Sequence, residues 1–153
     1  MPGKKYLKRS QELLKAIDIA VKVFQDFPPE DFEEEHIRIT VESYEGMKET
    51  ILHAEPQFQN MQSLRYDEEA VFTYFNEAAG TTVSEFWKQI KAAELNFQRD
   101  NKLEKIFKRQ KIKDDHEFQY VIDVMVPFQE DGLITVEQAD LLNKWLGDYD
   151  QAT

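Results

Sequence analysis

Residues 7–24 read LKRSQELLKAIDIAVKVF, and their apolar side chains recur in steps of three and four residues. Such steps place side chains on one face of an α-helix. The stripe, apolar at all but one of its positions, consists of Leu7, Ser10, Leu14, Ile17, Val21 and Phe24. Leu13 and Ala20 widen it beyond the narrow seam of a two-stranded coiled coil. The stretch therefore predicts a helix that ends before Pro28 and packs within a globular bundle.

The remainder of the chain repeats this helical spacing between short connections. Five Gly and five Pro in 153 residues leave few sites for tight turns, which favours long helices over many short strands. The β-branched segment 117–126 would also suit a strand, but its apolar positions favour a helix. Helices are predicted over residues 4–26, 30–54, 67–79, 83–94, 101–109, 115–126 and 135–147. We therefore predict an all-α fold in which residues 1–153 form one domain, a single compact multi-helix bundle of about seven or eight helices with short connections.

Three of the helix starts are predicted from capping residues. Asp67 precedes an apolar helical run and is expected to cap it. Thr82 and Glu85 have the spacing of a capping box, in which each side chain accepts a hydrogen bond from the other residue's backbone N–H. Thr135 and Gln138 repeat that spacing near the end of the chain. These residues are expected to fix where three helices begin.

The charge of the chain is strongly acidic and unevenly distributed. The formal net charge is −11 at pH 7, from 19 Lys and Arg against 30 Asp and Glu. Residues 23–98 and 114–153 are acidic, whereas 1–22 and 99–113 are basic. The acidic bulk repels nucleic acid and anionic membrane, so contact with either would have to be local to a basic segment. Such a surface suits the steering of basic partners, although solubility alone would also explain it.

No feature of the sequence indicates secretion or membrane insertion. The chain has no Cys, which excludes disulfides and thiolate chemistry. Lys15 and Asp18 interrupt the region that would have to be apolar in a signal peptide. No run approaches the roughly 20 apolar residues of a membrane span. A cytoplasmic protein with no membrane partner is expected.

The segment KLEKIFKRQKIK, residues 102–113, is the densest cluster of cations. Together with the helix predicted after it, this segment resembles the outline of a helix-turn-helix. The second helix, however, opens with the acidic residues of segment 114–117 and would direct carboxylates at the phosphates. Three alternatives stay open: a solvated face that pairs with acidic neighbours in the same protein, a docking patch for an acidic protein, or contact with a nucleic-acid backbone. The candidate interaction patch is Lys102, Lys105, Lys108, Arg109, Lys111 and Lys113.

Aromatic residues crowd between residues 66 and 87. Aromatic side chains at helical spacing on two consecutive helices usually form core, which is the favoured interpretation. Tyr74, Phe75 and Trp87 are nevertheless the candidate lining of a small-molecule pocket. Trp87 and Trp145 would be natural centres of an interface if either side chain were exposed.

Two patterns resemble metal sites, and both lack ligands. In a calcium loop centred on residue 132, Pro127 would occupy the first ligand position and Gln138 the last, so neither supplies a carboxylate. Glu33 and His36 have the Glu-x-x-His spacing of di-iron bundles, but the second such pair is missing. No metal ion or other cofactor is therefore expected.

The sequence contains no catalytic motif, since its glycines stand far apart and its three His are scattered. A non-catalytic protein is expected, acting through protein–protein interaction as an adaptor or as the acidic partner of a basic protein. One alternative is a nucleic-acid-associated regulator that uses residues 102–113. Another is a small-molecule-binding helical bundle with an aromatic pocket. Self-association into a homo-oligomer is a further alternative, because the apolar stripe of the first helix has near-heptad spacing.

Overall fold

Seven α-helices and one short 3₁₀ turn form the regular structure of residues 2–152, the part of the chain that the computed structural model describes. The helices are α1 (Lys4–Asp26), α2 (Glu34–Leu52), α3 (Met61–Glu77), α4 (Thr81–Ala92), α5 (Leu103–Arg109), α6 (Asp115–Glu130) and α7 (Val136–Ala152), and the 3₁₀ turn is Pro56–Phe58. Helix makes up 75% of the structure, and residues 2–152 include no β-strand. The predicted all-α class is confirmed.

The first helix, α1, has the predicted bounds, but the face that it buries is rotated from the predicted stripe. Leu7, on that stripe, is 45% exposed. Since α1 contacts both α2 and α4, it buries a broad face, and the predicted stripe forms only one side of it. The fully buried positions of α1 include Leu13, Ala16, Ile17, Ala20 and Val23.

The second helix, α2, begins at Glu34 and not at residue 30, so the predicted start is wrong. The preceding residues form a turn in which the Phe32 N–H donates to the Pro29 carbonyl over 3.0 Å. This turn brings the centroid of the Phe32 ring to 6.3 Å from that of Phe24. The chain leaves the helical path here because the Phe32 ring packs against α1.

The third helix, α3, begins at Met61, and the prediction that Asp67 caps it is wrong. Asn60 precedes the helix, and its Oδ1 accepts the Ser63 N–H over 2.9 Å. Leu64, in the first turn, is 1% exposed. The helix therefore starts early enough to bury Leu64, and Asp67 lies in its interior.

The two predicted capping boxes have different outcomes. The Thr82 hydroxyl donates to the Phe27 carbonyl and does not cap α4, which begins at Thr81. A long-range hydrogen bond to the end of α1 thus replaces the predicted local one. At the start of α7 the reciprocal pair is present, since the Gln138 N–H donates to Thr135 Oγ1 over 3.1 Å and the Thr135 N–H to Gln138 Oε1 over 2.9 Å. That prediction is confirmed.

The sixth helix, α6, continues through Pro127 to Glu130, past the predicted end at residue 126. Pro127 has no backbone N–H to donate, but its carbonyl accepts the Asp131 N–H over 2.9 Å. The helix therefore continues past Pro127. The strand alternative for segment 117–126 is wrong. The last helix, α7, likewise continues past its predicted end at residue 147.

The other helix ends lie within about two residues of the predicted ones. Differences of this size are common between methods of assigning helix ends.

The described helices group into two compact units. Unit 1 contains α1, α2, α4, most of α3 and the segment up to Gln98. Unit 2 contains α5, α6, α7, the segment from Arg99 and the short stretch Glu77–Ala79. The assignment of residues 1–153 to one domain stays a prediction.

Unit 1 has an aromatic core. The rings of Phe75 and Phe86 stack with centroids 3.7 Å apart, and the Phe24 ring lies 5.3 Å from that of Phe75. All three side chains are at most 1% exposed. The buried Tyr44 hydroxyl donates to the Val71 carbonyl over 2.8 Å, which joins α2 to α3. Aromatic contact thus connects all four helices of this unit.

Unit 2 has a smaller, mainly aliphatic core between α5, α6 and α7. Trp145 is 7% exposed, and its ring lies 5.7 Å from that of Phe107. Trp145 therefore packs in the core and is not an exposed interface centre. The side chains of this core that are at most 1% exposed are Leu103, Ile106, Val121, Val124, Phe128 and Leu142.

Replacing Phe75 with Ala is expected to lower the free energy of unfolding by about 3–5 kcal/mol, because a fully buried ring leaves a cavity. The matched control is Phe58→Ala, at a position that is 54% exposed, where the change should stay within about 0.5 kcal/mol. Urea unfolding followed by circular dichroism measures both. A loss at Phe75 no larger than that at Phe58 would contradict the packed core.

Candidate interaction surfaces

The predicted basic patch lies on the outer face of α5 and on the turn that follows it. Leu103 and Ile106 are buried beneath it, and Lys105 and Lys108 are exposed. The turn begins at Gln110, whose φ of 62° is left-handed and reverses the chain. The outline of a helix, a turn and a helix is therefore confirmed for α5 and α6.

Two of the six cations of this patch pair with carboxylates. Arg109 forms a bidentate pair with Glu117, with Nη1–Oε1 and Nη2–Oε2 distances of 2.7 and 3.2 Å. Lys102 Nζ lies 3.8 Å from Glu77 Oε1. The remaining four make no ion pair with any residue between 2 and 152, and they are Lys105, Lys108, Lys111 and Lys113. Internal pairing therefore explains part of the patch only.

The carboxylates at the start of α6 are held by contacts within unit 2. Asp114 Oδ1 accepts the Glu117 N–H over 2.8 Å and caps the helix. Asp115 accepts a hydrogen bond from the Tyr149 hydroxyl, which raises the pKa of Tyr149 to about 12. These carboxylates stand where a recognition helix would meet phosphates, so the geometry opposes a helix-turn-helix function.

The pKa of Glu117 is lowered by its contacts. Partial burial alone would raise this pKa, but the Arg109 guanidinium and the Lys113 N–H, at 3.0 Å, both stabilise the ionised form and outweigh burial. Glu117 therefore joins α5, the turn and α6 through its ionised carboxylate.

An open cleft of about 460 Å³ lies between the start of α5 and the first turns of α6. Its lining includes Lys102, Lys105 and Lys113 together with four carboxylates. Charges of both signs are thus mixed within one small volume. The cleft therefore favours neither an anion nor a cation, and its charges do not identify a ligand.

Arg99 is the most deeply placed cation of unit 2. Its guanidinium lies 4.5 Å from the centroid of the Phe128 ring, and Nη2 donates to the Ala78 carbonyl over 2.8 Å. Nε and Nη1 are buried and have no hydrogen-bond partner within residues 2–152. Burial lowers the pKa of Arg99. The side chain has a structural role, since it connects Ala78 to α6.

The three candidate pocket residues each pack against other aromatic side chains. Phe75 lies between the other two and stacks on Phe86. The Tyr74 ring packs 5.3 Å from that of Phe24, whereas Trp87 stacks on Phe72 at 5.7 Å. The Trp87 indole N–H donates to the Phe75 carbonyl over 2.8 Å. These contacts favour the core interpretation, and the ligand pocket stays a prediction.

The two patterns that resemble metal sites have other contacts. The His36 ring stacks on Phe32 with centroids 3.6 Å apart, and Gln138 is part of the capping box of α7. Within residues 2–152, no three carboxylate or imidazole groups are arranged to hold a metal ion. None of the helices in this range combines the length and the apolar character needed to cross a membrane.

The exposed face of α2 is a surface that sequence reasoning missed. Arg38 lies on it and is bound by Glu35 and by Glu42, whose Oε1 lies 2.8 Å from Nη1. Lys48 lies near the carboxylates of Glu45 and Glu49 and pairs with Asp18. The hydrogen bond from Arg38 lowers the pKa of Glu35. Ile39 lies on this face and is 52% exposed. The exposed carboxylates of α2 are Glu34, Glu35, Glu42, Glu45 and Glu49.

Comparison with known protein families, with curated proteins and with solved structures gives no match. Among the described surfaces, the acidic face of α2 and the basic patch on α5 each have a clear chemical character.

Replacing Glu117 with Gln is expected to lower the melting temperature at pH 7, because the ion pair with Arg109 is lost. The folded protein holds the pKa of Glu117 below the ordinary value of 4.5, so this contribution is present above that value and is lost as the pH falls further. The difference in melting temperature between wild type and Glu117→Gln should therefore become smaller below about pH 4.5. Glu104→Gln, on the exposed side of α5, is the control. A difference that does not depend on pH would contradict this role of Glu117.

Proposed function

We propose that this protein is a non-catalytic cytoplasmic binding protein that recognises a basic surface of a protein partner through the exposed face of α2. The observation that carries the proposal is the concentration of carboxylates on one side of a single well-packed helix. The opposite side of α2 is anchored in the core by Val41, Tyr44 and Ile51, which are at most 8% exposed. A rigid helix thus presents the acidic face.

The charge of this face suits a basic partner. The turn before α2 adds further exposed carboxylates, including Glu30 and Asp31, next to those of the helix. A dense field of one sign raises the rate of encounter with a surface of the opposite sign and disfavours acidic partners. The partner would therefore present several Lys or Arg side chains along an elongated surface.

Charge alone supplies little affinity at an exposed surface, because exposed ion pairs are individually weak and are screened by salt. Ile39 offers an apolar contact at the edge of the acidic face, since it is 52% exposed. Several weak ion pairs beside a small apolar contact would give a reversible, salt-sensitive complex. Such a complex is typical of an adaptor or of a protein that masks a basic partner.

The alternative is nucleic-acid contact through the basic patch. The four cations of the patch without an ion pair favour it, since they could neutralise phosphates. The carboxylates that open α6 oppose it, because their hydrogen bonds fix them beside those cations. Protein recognition through α2 is therefore the better supported function.

A synthetic, helical, lysine-rich peptide of about 20 residues, which spans a helix of the length of α2, is expected to bind the protein. Glu42→Lys with Glu45→Lys should weaken this binding about tenfold, because attraction at the centre of the face becomes repulsion. Fluorescence anisotropy at low and at physiological salt measures the affinity. The control is Glu137→Lys with Asp140→Lys on α7, which changes the net charge equally. Equal losses for both pairs would show that only net charge matters and would contradict the proposal.

The wild-type protein is expected not to bind a short DNA duplex at about 0.15 M salt, because carboxylates flank the basic patch. A salt titration of duplex binding checks this directly. Tight binding that weakens steeply with salt and disappears in Lys105→Glu with Lys108→Glu would favour the nucleic-acid alternative.

A further inference from the structure

The exposed face of α1 carries a row of cations at a regular spacing. Lys8, Lys15 and Lys22, called here the lysine row, are seven residues apart and all exposed. Seven residues are nearly two helical turns, so the three side chains lie along one line. That line is opposite the buried face of α1. None of the three makes an ion pair with another residue of the described range 2–152.

The exposed face of α2 carries carboxylates at the same spacing. Glu35, Glu42 and Glu49, called here the glutamate row, are also seven residues apart and exposed. Successive members of either row are separated by about 10.5 Å along the helix axis. Two helices with equal repeats and opposite charges can therefore be aligned so that each cation faces a carboxylate.

The two rows do not meet within one chain. In one copy, α1 and α2 pack through other sides of the helices, as the 2.7 Å contact between Lys48 Nζ and Asp18 Oδ1 shows. No distance between a member of the lysine row and a member of the glutamate row falls within ion-pair range in residues 2–152. The lysine row thus has no ion-pair partner within residues 2–152, whereas Glu35 and Glu42 pair with Arg38 and Glu49 contacts His53. Exposed ion pairs of this kind are weak, so the glutamate row can still exchange them for contacts with a second molecule.

We propose that the occupant of the α2 face is a second copy of this chain, with the lysine row of one copy against the glutamate row of the other. This inference rests on the proposed function of the α2 face and names the partner. Each copy carries both rows, so the contact between a lysine row and a glutamate row would occur twice in a two-fold dimer. Such an interface is self-complementary.

A glycine in the middle of the glutamate row supports a close approach. Gly46 lies in the interior of α2 with no left-handed φ, and a glycine there is less favourable for helix stability than alanine. A Cβ at Gly46 would meet no atom within 4 Å, so packing within the chain does not require glycine. The missing side chain leaves room for another helix between Glu42 and Glu49, next to the exposed Ile39.

The net charge of −11 on each copy sets the salt dependence of this contact. At about 0.01 M salt the Debye length is about 30 Å, so the overall repulsion between copies opposes association. At about 0.15 M the Debye length is about 8 Å, which screens the overall repulsion more than the contacting pairs. At about 1 M the pairs are screened as well. Self-association should therefore be strongest at intermediate salt.

Sedimentation equilibrium of the full chain, at protein concentrations on the order of 0.1–1 mM, tests the proposal, because weak association becomes visible in that range. Two charge-reversed variants are needed: Lys15→Glu with Lys22→Glu, and Glu42→Lys with Glu49→Lys. Each should self-associate about tenfold more weakly than wild type, and an equimolar mixture should restore a one-to-one complex. The control is Lys105→Glu with Lys108→Glu, which has the same net charge as the first variant and should behave as wild type.

A steric pair of variants separates this geometry from charge alone. Gly46→Leu should abolish self-association, whereas Gly147→Leu should not, because Gly147 is also an exposed helical glycine but lies on α7. Circular dichroism verifies that both variants remain helical.

A wild-type chain that stays monomeric at every salt concentration would overturn the proposal, and so would a mixture of the charge-reversed variants that does not assemble. In either case, binding of the lysine-rich peptide would leave the proposed function standing. Loss of both self-association and peptide binding would reject both proposals.

Discussion

The burial of apolar side chains on one face of each helix is the interaction on which the rest of this structure depends. Helices of this length are marginal alone in water and gain their stability from packing. In unit 1 that packing is aromatic, with Phe24, Phe75 and Phe86 in contact at the centre. Because the core fixes which faces of α1 and α2 are inside, it also fixes which faces are outside. The lysine row and the glutamate row are exposed for that reason.

Specific polar contacts then position the chain around this core. Arg9 pairs with Glu68 at 2.6 Å, donates to the Asn96 carbonyl over 2.7 Å and lies 4.1 Å from the centroid of the Phe97 ring. These contacts fix the segment after α4 against α1. The Trp87 indole acts similarly at the end of α3. In unit 2, the pair of Arg109 with Glu117 closes the turn between α5 and α6.

The features that could be predicted from the sequence are those that depend only on neighbouring residues. Helical periodicity is a property of neighbouring residues, so the all-α class and the bounds of α1 could be predicted. The capping box of Thr135 and Gln138 is equally local. Thr82 was assigned the same role, but its hydroxyl bonds to a carbonyl far away in sequence, which no local pattern encodes. Asn60 and Asp67 can both cap a helix, and only the burial of Leu64 decides between them.

The candidate surfaces show the same division. The basic patch could be located because its cations are consecutive, but its pairing with Glu117 depends on a reversal of the chain at Gln110. The carboxylates of α2 entered the sequence analysis only as part of the acidic segment 23–98. Their seven-residue spacing was visible in the sequence. Its meaning depends on knowing that Val41 and Tyr44 take the opposite face into the core.

The central claim is that the exposed face of α2 is the surface through which this protein binds a basic partner. The most direct measurement is a two-dimensional ¹⁵N NMR spectrum of the labelled chain, recorded while the lysine-rich peptide is added. Shifts concentrated on the backbone amides of the exposed positions from Glu34 to Glu49 would agree with the claim. Shifts centred on residues 102–113, or spread evenly over every acidic surface, would contradict it.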